Sequence, residues 1–160
     1  PAGTGTIFPH MPYSIDEAVS FAYGKALDLT AYNVRDKEGN RIHKARCARF
    51  VADALEHAGL TFERKLHAYQ YKEVLEGSKE FTTLKESSDP RKGDIVVFEK
   101  RIGVSDSGHI AIYDGVLWVS DFKQSGTSGF YPNKKYRESK VPYTMFRPID
   151  QGTATVIAPK

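Results

Sequence analysis

The spacing of apolar residues changes about halfway along the chain, and that change limits the folds open to it. Before the breaker Ser87-Ser88-Asp89-Pro90 they recur with the period of a helix; after it they fall in short runs separated by Gly, Asp, Ser and Pro. From about Ala45 to Ala58, the residues Cys47, Phe50, Val51, Ala54, Leu55 and Ala58 follow an i, i+3, i+4, i+7 stripe, and Gly59 is a natural stop. Ser14 followed by Glu17 reads as a capping box that opens another helix from Ile15 to about Leu27, through Ala18, Phe21 and Ala22. A weaker helix is expected from about Ala68 to Glu76, ending at Gly77. Pro9 to Pro12 and residues 33 to 44 read as surface loops. Strand-like runs follow at 94–98, 109–113, 116–121 and 143–147. Helices first and short strands after predict an α+β protein, with N-terminal helices packed on an antiparallel sheet of about four to six strands. Residues 123–140 read as one long loop with aromatic residues among basic ones.

Composition narrows the classes of function. The chain has 160 residues, enough for one core, so a single domain over residues 1–160 is expected. With 40% hydrophobic and 27% charged residues it is neither disordered nor fibrous in type. No run approaches the ~18 to 20 apolar residues of a membrane helix, so no membrane insertion is expected. The start, Pro1-Ala2-Gly3-Thr4-Gly5, shows no secretion signal, so synthesis in the cytoplasm and delivery by another route are expected; without an initiating Met, a processed N-terminus stays open. Net charge is +3, from 23 basic and 20 acidic residues that are spread along the chain, and no nucleic-acid partner is expected. No pair of histidines shows ligand spacing, so neither a metal nor a cofactor is expected.

The chain has one cysteine, which excludes a disulfide framework and leaves Cys47 to be explained. A lone thiol is most often a small buried hydrophobe. Cys47, however, falls in the first turn of the strongest helix, where backbone N–H groups and the dipole favour a thiolate. A nucleophilic thiol needs a base. Of His10, His43, His57, His67 and His109, only His109 begins an apolar strand, in Ser107-Gly108-His109-Ile110-Ala111-Ile112-Tyr113, where Gly108 allows another backbone to approach. His43 is the one rival, a helical turn before Cys47. The base in turn needs an orienting group. A two-residue turn at Asp114-Gly115 pairs Tyr113 with Val116 and sets Ser120 opposite His109; a three-residue loop or a bulge sets Asp121 there. Asp121 is favoured because a carboxylate stabilises imidazolium better than a hydroxyl, with Gln124 as a second helper.

This arrangement resembles the papain-like peptidoglycan hydrolases of the NlpC/P60 and CHAP superfamily. The resemblance is carried by Ala45-Arg46-Cys47-Ala48-Arg49-Phe50-Val51, Lys92-Gly93-Asp94-Ile95-Val96-Val97-Phe98, Gly108-His109-Ile110-Ala111-Ile112-Tyr113-Asp114-Gly115 and Ser120-Asp121, in the family's order. Tyr143-Thr144-Met145-Phe146-Arg147-Pro148 resembles the last strand of such domains, so the likeness spans about 45–148. Arg46-Cys47-Ala48-Arg49, in place of Asp-Cys-Ser-Gly, is closer in type to the CHAP branch or to the small amidases that bacteria inject into rivals. The resemblance implies a papain-like fold and a catalytic set of Cys47, His109 and Asp121. It also implies cysteine-dependent hydrolysis of an amide in the cell-wall stem peptide through a thioester. Tyr32, Gln124 and Tyr131 are the expected substrate-contacting residues: Tyr32, or Asn33, by position as an oxyanion helper, and Tyr131 in a cleft-lining loop with Phe130, Lys134, Lys135 and Tyr136. The implied partner is bacterial peptidoglycan, met by a monomer at the wall or periplasm of a target cell. An immunity protein and a delivery machinery are implied as well. Two other readings stay open: a papain-like hydrolase or acyltransferase with another substrate, and a non-catalytic domain with Cys47 in its core.

Overall fold

The structure, a computed structural model, describes residues 13–26, 37–39, 46–84, 89–124 and 131–149. In chain order these form helix α1 (Ile15–Lys25), helix α2 (Cys47–His57), a 3-10 turn (Ala68–Gln70) that runs into helix α3 (Tyr71–Glu76), strands β1 (Phe81–Leu84), β2 (Ile95–Phe98), β3 (His109–Tyr113) and β4 (Trp118–Val119), helix α4 (Lys134–Glu138) and strand β5 (Tyr143–Pro148). The strands make one antiparallel sheet in the order β1-β5-β2-β3-β4. β2 lies at its centre and is buried at all four positions, because both faces of the sheet are covered. Ile95 and Val97 join Ile110 and Ile112 under α1 and α2, whereas Val96 and Phe98 join Ala111, Trp118, Met145 and Tyr136 on the opposite face. This is the α+β architecture with helices packed on an antiparallel sheet that the apolar pattern predicts. Among the described residues, no helix is long and apolar enough to cross a membrane.

α2 forms as its stripe requires. Val51, Ala52, Ala54 and Leu55 are fully buried, and Gly59, at φ +105°, ends the helix as Leu60 N–H turns back to Leu55 O at 2.9 Å. At α1, Ser14 Oγ accepts the Glu17 N–H at 3.2 Å, but the reciprocal half of the expected capping box is absent. Ser14 N–H instead donates to Ala58 O at 2.9 Å and Glu17 pairs with His57, so both groups serve to join α1 to α2. α1 ends at Lys25 because Ala26 is extended, while Leu27 lies outside the described residues.

Other expectations are corrected. Phe81–Leu84, a run of four residues outside the expected strands, is a strand paired along β5. The stretch 123–140 is not one loop: Asn133 Oδ1 accepts the Tyr136 N–H at 3.1 Å and starts α4, whose Tyr136 is buried. The β3–β4 hairpin has neither of the turns considered. Tyr113 pairs with Trp118 across a four-residue connection, where Asp114 Oδ1 accepts the N–H groups of Val116 and Leu117 at 2.7 and 2.6 Å. The expected strand 116–121 is therefore only Trp118–Val119, and the chain then reverses. Ser120 N–H donates to Phe122 O at 3.0 Å and Gln124 N–H to Trp118 O at 2.9 Å.

Candidate functional site

Two turns aim β3. At its start, Gly108 has φ +69°, and a Cβ there would collide with the carbonyl oxygen of Phe98 and touch Tyr69, so the close backbone approach expected at this glycine is observed. The Gly108 carbonyl accepts Tyr136 Oη–H at 3.1 Å and Ser105 Oγ–H at 3.2 Å. Near the other end, Gly93 N–H donates to Tyr113 O and Tyr113 N–H to Asp94 O, each at 2.8 Å. Asp94 is wholly buried and receives Arg147 through Nε at 3.0 Å and Nη2 at 2.9 Å, a two-pronged pair that holds the guanidinium in its charged form. The Gly-Asp motif thus anchors β2 to β5 and to the end of β3.

Cys47 opens α2 and is 8% exposed. Its thiol lies on β3, where the backbone N–H of Ile110, the residue after His109, bonds to it. Burial pushes the thiol up to about 11; the N–H groups of Ile110, Ala48 and Cys47 itself oppose the rise, and the Asp121 carboxylate adds to it. His109 is 6% exposed and sits among the rings of Phe98, Phe122 and Tyr136, with centroids 6.0 to 6.3 Å away. Its Nε2 is 2.9 Å from Gln124 Oε1. The amide oxygen only accepts, so Nε2 carries the proton and Nδ1 is left as the basic nitrogen. Burial lowers the pKa of His109, against the opposing effects of Gln124 and of the Asp121 charge.

Asp121, 4% exposed, accepts the Arg46 N–H on Oδ2 at 3.0 Å. The structure thus gathers Cys47, His109, Asp121 and Gln124 at the start of β3. Asp121 is bonded to the start of the cysteine helix and acts on both Cys47 and His109 through its charge, while Gln124 is hydrogen-bonded to the imidazole. Ser120 is buried and its Oγ–H donates to Phe122 O at 3.4 Å. Tyr131 stacks at a tilt on Phe98, 5.5 Å away, and meets Tyr143 edge-on at 6.3 Å. Tyr32, Asn33, His43 and Phe130 lie outside the described residues. Sequence reasoning gave Tyr136 no more than a place in a cleft-lining loop, although it braces Gly108 and the His109 ring; its signal was the Asn133 cap three residues earlier. The clefts of ≈ 570 Å³ around Phe62 and ≈ 490 Å³ around Tyr69 and Lys100 are lined by none of these four residues.

A helix-borne thiol set on an antiparallel sheet, beside a histidine whose tautomer an amide fixes, defines a papain-like α+β protein. The CHAP domain model matches residues 36–125, more than half of the chain and the part that holds Cys47, His109, Asp121 and Gln124, and the protein belongs to that family. It is similar to the crystal structure of the native type VI effector–immunity complex Tae3–Tai3 from Ralstonia pickettii. The identity is 32%, the TM-score is 0.66, and 84% of this chain and 98% of that chain are covered. The selenomethionine form of the same complex matches with 32% identity, a TM-score of 0.63, and 82% and 99% of the two chains. Among curated proteins no relative matches.

Proposed function

We propose that the protein is a cysteine-dependent peptidoglycan amidase or endopeptidase, with Cys47 as nucleophile and His109 as general base and acid. The observation that carries this reading is a thiol at a helix start, held against β3 by the Ile110 N–H, next in the chain to a buried histidine whose Nε2 is bonded to Gln124. In the reaction, His109 Nδ1 takes the Cys47 proton as sulfur attacks the amide carbonyl, and the Cys47 backbone N–H helps hold the oxyanion. The C–N bond breaks as imidazolium protonates the leaving amine, which leaves a thioester. His109 then activates water, the C–S bond breaks, and the proton returns to sulfur. Gln124 holds the imidazole in its working tautomer throughout, and Asp121 stabilises the imidazolium by its charge. Tyr32 and Tyr131 are assigned to the substrate.

The substrate is assigned on family membership: the motifs at 45–148 are those that resemble cell-wall hydrolases. The likeness to an effector held with its immunity protein supports delivery into a target bacterium, action at its wall, and a dedicated immunity partner in the producer. The chain is assigned as one catalytic domain that works as a monomer. A second reading, a non-catalytic domain, is favoured by one observation, the burial that keeps the Cys47 thiol protonated. Mass spectrometry of muropeptides released from purified sacculi separates the two. The wild type is expected to cut one amide bond and Cys47→Ala to lose at least roughly 1000-fold in rate with its fold retained. Wild-type protein that leaves sacculi from several bacteria intact sinks the proposal.

A further inference from the structure

We propose that Asp121 is a positioning residue for the helix of the nucleophile: its carboxylate fastens the start of α2 to the chain reversal after β4 and so sets where Cys47 stands on β3. The inference rests on the catalytic reading of Cys47 and His109. Helix α2 supplies no cap of its own. Arg46 stands at the N-cap with φ −129° and ψ 29°, makes no side-chain cap bond, and the first turn holds no acidic residue. The N–H groups at a helix start have no helical partner and require an acceptor from elsewhere. Here it comes from 75 residues away, where Asp121 Oδ2 takes the Arg46 N–H at 3.0 Å. A buried carboxylate is also the charge that the positive end of a helix favours.

The reversal that carries Asp121 holds both halves of the site. It is closed by the bonds from Ser120 N–H to Phe122 O and from Gln124 N–H to Trp118 O. Asp121 extends from it to the helix of Cys47, and Gln124 extends from it to Nε2 of His109. One short segment therefore fixes nucleophile and base against each other. Asp121 also opposes a thiolate at Cys47 and favours imidazolium at His109, so the resting thiol is neutral and the imidazolium that forms in the reaction is stabilised.

Two readouts that need no substrate test this, so they stand or fall apart from the proposed hydrolysis. In the full chain, the Arg46 amide is expected to exchange hydrogen at least roughly tenfold faster in Asp121→Ala than in the wild type. It should stay within roughly threefold of the wild type in Asp121→Asn, which keeps a carbonyl acceptor, and in Gln124→Ala. Iodoacetamide should alkylate Cys47 faster in Asp121→Asn than in the wild type at about pH 8, because the opposing charge is gone. On sacculi, Asp121→Asn is expected to recover part of the kcat that Asp121→Ala loses. An Arg46 amide that exchanges no faster in Asp121→Ala overturns the proposal, as it would if Asp121 served His109 alone. Should the alanine variant not fold, Asp121→Ser, whose hydroxyl is too short to reach Arg46, takes its place in the exchange measurement: faster exchange at Arg46 is expected, and an unchanged rate overturns the proposal.

Discussion

Burial acts in opposite directions on the pKa values of Cys47 and His109, and both groups rest neutral. It raises the thiol and lowers the imidazole, so both rest uncharged at neutral pH. Gln124 Oε1 occupies Nε2, and in the proposed reaction Nδ1 is the nitrogen that receives the proton. Removing that acceptor frees the ring to take either tautomer and leaves a buried N–H unpaired. Gln124→Ala is expected to lower kcat on peptidoglycan by roughly 10- to 1000-fold, with a smaller effect on KM. Stopped assays on purified sacculi measure this, and an unchanged kcat would remove Gln124 from the site.

At the level of elements, the sheet is held in register by a buried ion pair. Asp94 precedes β2 and Arg147 lies in β5, and their two-pronged pair locks these neighbouring strands beside the turn that also receives the end of β3. Arg147 reaches on to Asp89 O at 2.9 Å. Replacing the guanidinium leaves a wholly buried carboxylate without its counter-charge. Arg147→Gln is expected to cost about 3 to 5 kcal/mol of stability, the range for one partner lost from a buried pair. Urea unfolding followed by tryptophan fluorescence checks it, since Trp118 is buried on β4; a loss below about 1 kcal/mol would mean that water reaches Asp94.

For the whole molecule, the buried thiol and imidazole make stability depend on pH at both ends. His109 has a folded pKa below its unfolded value near 6.5, so the stability from burying it neutral is complete above about 6.5 and is lost as pH falls toward the folded value. Cys47 has a folded pKa near 11 against an ordinary value of 9.0, so its contribution is complete below about 9 and is lost as pH rises through 11. Tyr13, buried with a raised pKa, adds to the alkaline loss. Thermal unfolding from about pH 5 to 11 is expected to show a plateau between about 6.5 and 9. Cys47→Ala should flatten the part of the alkaline limb that begins near 9, and an identical limb in both proteins would contradict the burial of the thiol.

The residue sequence alone determined helices α1, α2 and α3 and the strands β2, β3 and β5, because those follow from apolar spacing and local caps: Val51, Ala54 and Leu55 face the core at helical spacing, and Ile95–Phe98 is an unbroken apolar run. It also marked Cys47 and His109, since a helix start and a Gly-His strand start are local features. Only the tertiary structure decided what holds them. Pairing register depends on the partner strand: Asp114 holds a four-residue β3–β4 connection, and separate backbone bonds turn the chain back after Val119. That reversal sends Asp121 to the start of α2 and brings Gln124 to His109, contacts across 75 and 15 residues that no local pattern encodes. β1 and α4 were hidden for the same reason, as each gains its stability from a neighbour distant in the chain, β5 for one and the His109 face of the sheet for the other.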